Sequence, residues 1–186
     1  MDKIAICGKM ASGKTYLAQK MTDERGFQRF SLAGAVKQLG TDYFGMVKKD
    51  RPLLQKIGMK MREIRPNVWI DYVVRDIGVH EQECQAVFGT TKGMGVVVDD
   101  VRFLNEAKAF KEAGFTLVRL HIEDELQIER LRNTYGDDAD IHIANRHDSS
   151  EKEMDEMDDS LFDVVLTAAN DDSVYETLHE TLFGTE

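Results

Sequence analysis

The sequence predicts an α/β fold in which a parallel sheet is covered by helices, and two observations predict it. Segments of strand character alternate along the chain with segments whose apolar residues are spaced for helices, the pattern left by strands joined through helical crossovers. The first alternation carries Gly8-Lys9-Met10-Ala11-Ser12-Gly13-Lys14-Thr15 directly after the apolar run Ile4-Ala5-Ile6-Cys7. That is the G-x-x-x-x-G-K-[ST] spacing of a phosphate-binding loop set between a strand and a helix.

Taken in order, Lys3–Cys7 reads as a buried parallel strand, and Thr15–Arg25 as a helix with Leu17, Ala18 and Met21 on one face. Phe27–Leu32 reads as a second strand and Ala33–Phe44 as a helix. Between 50 and 88, Leu53, Leu54, Ile57 and Met61, then Val68, Ile70, Val73, Val74 and Ile77, predict two or three helices broken near Pro66. Gly93 and Gly95 end this insertion, and Val96-Val97-Val98-Asp99-Asp100 follows as a short β-branched run closed by two acids. A helix over Leu104–Ala113 stops at Gly114, and Phe115–Ile122 is the next strand. Asp124–Thr134 reads as a helix, Asp163–Leu166 as a last strand, and Ser173–Leu182 as a terminal helix. Gly136–Asp159 is the most polar stretch, ends in the acidic run Glu151–Asp159, and reads mostly as mobile or solvated surface.

Composition frames the function. A chain of 186 residues with 42% hydrophobic content, two prolines and no long linker is expected to form a single domain over 1–186. Its net charge of −10 argues against a nucleic acid polymer or an anionic membrane as partner. An anionic ligand must then be met by a local cluster of cations. Cys7 and Cys84 stand far apart and read as single reduced thiols, which predicts a cytoplasmic protein. The apolar run before Gly8 is only the four residues Ile4–Cys7, far short of the roughly twenty of a membrane span.

The loop has a mechanism. Its glycines let the backbone of Gly8, Lys9, Ala11, Ser12, Gly13, Lys14 and Thr15 wrap the phosphates of ATP, with Lys14 on the outer phosphates and Thr15 on Mg²⁺. Such a loop needs a carboxylate at the end of a neighbouring buried strand. Asp99 is the first candidate and Asp100 the second, with capping of the following helix the competing use of either acid. Adjacent side chains of a strand point to opposite faces, and sequence alone leaves the choice open.

Phosphoryl transfer also requires cations on donor and acceptor phosphates. Arg102 follows the acidic strand end; Arg51 and Arg62 lie in the insertion as an acceptor-side clamp; Arg119 sits within a strand. Arg130, Arg132 and Arg146 bracket 133–159, the arrangement of a lid that brings cations over a transferring group. Trp69 and Phe44 are candidates to stack on a base, against the alternative of core packing, while His142 and His147 read as surface.

Taken together, Gly8–Thr15, Phe30-Ser31-Leu32-Ala33 with Lys37, Arg51-Pro52-Leu53-Leu54-Gln55-Lys56-Ile57-Gly58 with Arg62, Pro66-Asn67-Val68-Trp69, Val98-Asp99-Asp100-Val101-Arg102-Phe103-Leu104-Asn105-Glu106 and His147-Asp148-Ser149-Ser150-Glu151 make most of the chain resemble bacteriophage-type deoxynucleoside monophosphate kinases. The resemblance implies a three-layer P-loop kinase fold with a five-stranded parallel sheet. In that reading the core is 1–45 and 93–186, with an acceptor-binding insertion at about 46–92 and a lid at about 133–159. It implies Mg²⁺-dependent transfer from ATP to a deoxynucleoside monophosphate. Lys14, Asp99, Arg130 and Arg132 would be catalytic, Arg130 would also touch ATP, and Thr15 and Asp99 would serve the metal. Lys37, Arg51, Arg62, Trp69, Asp100 and Arg102 would then meet the acceptor. The spacing His147-Asp148-Ser149-Ser150-Glu151 is one residue longer than the pattern. Dephospho-coenzyme A kinases, shikimate-type kinases and a nucleotide-sensing ATPase are the rival readings. The apolar faces of the insertion helices are compatible with core or with a homodimer interface.

Overall fold

The computed structural model describes residues 1–147 and 149–184, and the side chains of Arg51, His147, Ser149 and Ser150 also lie outside the described residues. The acceptor contact expected of Arg51 and the His147–Ser150 part of the late motif are therefore outside it. The described chain runs β1 (Asp2–Gly8), α1 (Lys14–Arg25), β2 (Gln28–Phe30), α2 (Leu32–Phe44), α3 (Arg51–Ile64), α4 (Val68–Phe88), β3 (Gly95–Val101), α5 (Leu104–Glu112) and β4 (Thr116–His121). It continues through α6 (Asp124–Tyr135), α7 (Ala139–Ala144), α8 (Ser149–Glu156), β5 (Val164–Thr167) and α9 (Ser173–Phe183). The five strands form one sheet in the order β2-β3-β1-β4-β5, with all neighbours parallel.

Strand alternation divides the core into two layers. Ile4, Ile6, Val97, Val118 and Leu120 face α1 and α9, meeting Leu17, Ala18, Met21, Tyr175 and Leu178. Ala5, Cys7, Val96, Val98 and Leu117 face the other way onto Leu32, Ile57, Trp69, Ile70, Val73, Ile77 and Phe110. Both faces of the sheet are covered, which is why the central strands read as unbroken apolar runs.

Helix boundaries follow local chemistry. Gly26 ends α1 in the left-handed region and donates to the carbonyls of Met21 and Thr22. Asp50 caps α3 through the Leu53 N–H, with Pro52 in the first turn where no N–H is missed. The break near Pro66 separates two helices, α3 and α4. Trp69 is a core residue, 4% exposed, and its indole N–H donates 3.2 Å to the carbonyl of Gly58. This corrects the expectation of a base-stacking role: the indole ties α4 to α3.

The polar stretch before β5 also differs from a solvated surface. Glu151, Met154 and Met157 are buried. Arg119, buried in β4, donates to the carbonyl of Met154 at 2.6 Å, to the carbonyl of Met157, and to Asp159 at 2.8 Å. A buried guanidinium must have each donor met, and here it is met by the last turn of α8 and the chain just after it. Arg119→Met leaves two buried carbonyls without a donor and is expected to cost about 1–3 kcal/mol. The check is a lower urea midpoint at unchanged slope, with proteolytic nicking between α6 and β5 ahead of global unfolding.

Candidate active site

A cleft of about 760 Å³ opens at the carboxyl ends of β1, β3 and β4. Ligands of open α/β sheets bind outside those strand ends. Its floor is Met10–Leu17, one wall is Arg29, Ser31, Ala33, Lys37, Asp99, Asp100 and Arg102, and the other is Arg130, Asn133–Tyr135 and Ala168–Asp172.

The floor is shaped before any ligand arrives. Gly13 has φ of 104°, a backbone open to glycine, and a Cβ there would stand 3.4 Å from Arg130. Lys14 Nζ donates to the carbonyls of Gly8 and Lys9, each at 2.6 Å. Burial pushes its ammonium down to about 8, the Arg102 guanidinium adds to the shift, and the Glu151 and Asp99 carboxylates oppose it. Lys9 reaches out to Asp155 at 2.6 Å. Among the described residues, Ser12 Oγ is one of two buried side-chain polar atoms without a hydrogen-bond partner.

The two acids part as alternation requires. Asp99 lies on the Val97 face, 2% exposed, and accepts from Thr15 Oγ1 at 2.9 Å. Asp100 turns to α2 and accepts from Ser31 Oγ at 2.7 Å and from the N–H groups of Leu32 and Ala33 at 2.9 and 2.8 Å. Its carboxylate lines the cleft but is engaged as a cap at the start of a helix, where negative charge is favoured. The acid therefore caps α2, which precedes β3 in the chain, and not the following helix α5 that capping at this junction would have served.

Arg130 stands against the loop. Its Nη1 donates 3.0 Å to the carbonyls of Ala11 and Ser12, and its Nη2 donates to the carbonyl of Ala169. Arg132 is exposed and is not among the cleft residues. Two residues on a helix turn the side chain by about 200°, so one helix cannot aim both arginines at one site. Arg102 lines the cleft with Nη1 3.9 Å from Glu151, and Lys37 lines the same wall from α2. Arg62 is held by Glu106 at 3.1 Å, beside the Phe103 ring, and does not line the cleft.

Sequence reasoning passed over one contributor and named a second without a role. Arg29 binds Asp99 through both nitrogens of its fork, Nε to Oδ1 at 2.8 Å and Nη2 to Oδ2 at 2.7 Å. Its signal was register: Arg29 pairs with Val97, and Asp99 lies two residues further along the same face of β3. The second is Glu151, whose carboxylate takes the Met10 N–H at 3.0 and 3.1 Å. Gln127 bridges the carbonyl of Met10, at 3.0 Å, to Arg146, which donates to it at 2.6 Å and pairs with Asp124.

Solved structures share this architecture. A sugar kinase from Janibacter sp. HTCC2649 aligns with TM-score 0.59 at 16% identity, covering 98% of this chain and 94% of its own. A shikimate kinase from Bacteroides thetaiotaomicron gives 0.52 at 14%, covering 97% and 98%. A gluconokinase from Sinorhizobium meliloti 1021 gives 0.50 at 15%, covering 98% and 90%. Neither a family model nor a curated relative matches the chain. Among the described residues no helix is long and apolar enough to cross a membrane. The chain has the three-layer α/β fold of these kinases, with a five-stranded parallel sheet.

Glu151→Ala is expected to cost about 1–3 kcal/mol, because the Met10 N–H and the Gln127 amide lose a buried acceptor. Chemical unfolding measures the loss. Glu151→Gln, which keeps one acceptor oxygen, should recover part of it.

Proposed function

We propose that the protein transfers the γ-phosphoryl group of ATP to a deoxynucleoside 5′-monophosphate in a Mg²⁺-dependent reaction. The observation that carries the reading is one cleft whose floor holds a buried Lys14, fixed on its loop, and whose wall at the Asp99 strand end carries Arg102 and Lys37. Cations on the floor and on this wall suit a reaction between two phosphate groups, whereas nucleotide hydrolysis has no use for the second set. The deoxynucleotide acceptor rests on the resemblance that the motifs around Asp99–Glu106 and Arg51–Gly58 bear to deoxynucleoside monophosphate kinases.

The donor set fits a hard dication. Thr15 offers a hydroxyl and Asp99 a buried carboxylate, while no group of three or more His, Cys, Asp or Glu gathers among the described residues. Mg²⁺ is commonly held this way, by few protein oxygens with phosphate and water completing its shell. Bound with the nucleotide, it would neutralise charge on the transferring group. The chain's own work is positioning. Lys14 and the loop N–H groups hold the outer phosphates, and Ser12 Oγ offers a further donor at the loop. Arg130 clasps the loop to the segment after β5. Arg102 orients the acceptor phosphate, and the α6–β5 region excludes water as a lid.

The fold likeness to shikimate, sugar and gluconate kinases favours one second reading, a different small acceptor for the same transfer. A panel of deoxynucleoside and ribonucleoside monophosphates, shikimate, gluconate and dephospho-coenzyme A, with a no-acceptor control, separates the two. Turnover confined to deoxynucleoside monophosphates is the expected result; ADP formation equal without acceptor would overturn the kinase reading. Lys14→Ala should lower kcat by about 10²–10³ with the fold retained, the usual effect of removing one preorganised charge. Arg102→Ala should raise the acceptor KM more than the ATP KM. A change confined to ATP would move Arg102 to the donor side.

A further inference from the structure

Arg29 stands where the proposed chemistry needs a metal. Its guanidinium engages both oxygens of Asp99, and Oδ2 also takes the Thr15 hydroxyl, so the two groups best suited to a nucleotide-bound cation are already spanned by a side chain. The two partners differ in exposure. The Asp99 side chain is 1% exposed and the Arg29 side chain 38%. The guanidinium lines the cleft, on the wall that also carries Lys37 and Arg102.

We propose that Arg29 is an exchangeable counter-ion of Asp99: it holds the carboxylate in the nucleotide-free protein, yields it to Mg²⁺ arriving with the nucleotide, and then serves the acceptor's phosphate. The acceptor half rests on the function proposed above; the exchange at Asp99 does not. A carboxylate this buried is costly without a cation beside it, which explains why a guanidinium waits there. A dication and a guanidinium on one carboxylate repel each other, so arrival of the first weakens the hold of the second. Arg29 belongs to a three-residue edge strand with an exposed, exposed, half-buried pattern, and its side chain faces open cleft when released. A planar fork that fits carboxylate bidentately fits phosphate as well. One residue thereby couples the donor and acceptor sites, and such coupling is reciprocal.

The test uses calorimetry on the whole protein, not turnover. ADP is bound to wild type, R29Q and R29K, each with Mg²⁺ and with EDTA, and the ratio of the two affinities is the metal enhancement. R29Q is expected to raise the enhancement about tenfold, within the usual range of coupling between sites. R29K, which keeps the charge and loses the fork, should fall between. Equal enhancement in all three proteins would overturn the exchange and make Arg29 a permanent structural partner of Asp99. If R29Q does not fold without nucleotide, the comparison of R29K with wild type decides.

A second titration places each deoxynucleoside monophosphate on the protein with and without Mg·ADP. Wild type should bind the accepted one several-fold more tightly with Mg·ADP, and R29Q should lose that gain. A gain retained in R29Q would overturn the hand-over to the acceptor. Failure of every monophosphate to bind, with the raised enhancement kept, would overturn the deoxynucleotide reading and support the exchange at Asp99.

Discussion

Burial of β1 between β3 and β4 is the constraint from which the site follows. Ile4–Cys7 and Val96–Val98 are buried, so the acids of β3 emerge only past that apolar run, at the carboxyl end of the strand. The loop after β1, the two acids ending β3 and the polar chain after β5 are thereby brought to one rim. A slip of one residue in that parallel pairing would exchange the faces of Asp99 and Asp100 and turn the Asp99 carboxylate towards α2.

An acidic protein gathers its cations here. Against a net charge of −10, Lys14, Arg29, Arg102, Arg130 and Lys37 all line one cleft. Most are tethered to protein acceptors: Lys14 and Arg130 to loop carbonyls, Arg29 to Asp99, Arg102 near Glu151. Tethering would limit the side-chain entropy lost on binding an anion there. Glu151 has a further consequence, since its carboxylate places α8, more than a hundred residues along the chain, within one hydrogen bond of the phosphate loop, as Gln127 does for α6.

Legibility was uneven for physical reasons. The α8 segment reads as charged and solvated because its buried side chains, Glu151, Met154 and Met157, are spaced three apart among Lys, Glu and Asp, and one of the three is itself an acid. Helical spacing was present but masked by charge. Trp69 carried the opposite ambiguity: an aromatic in a helix near a candidate pocket is apolar whichever side it faces. Arg132 and Arg62 carried the right chemistry with no sign of direction, and the structure leaves both outside the cleft lining.

The sequence by itself determined the alternation of strands and helices, the phosphate loop, the break between α3 and α4, and the acidic end of β3. These are local properties, set by side-chain period, by glycine and proline, and by spacing within a few residues. Only the tertiary structure decided that Asp99 rather than Asp100 meets Thr15, that Asp100 caps α2, that Arg29 spans the carboxylate and that Glu151 holds the loop. Each joins residues 68 to 141 positions apart, apart from neighbours along one strand, and strand register, helix rotation and burial choose such partners where sequence spacing carries no information about them.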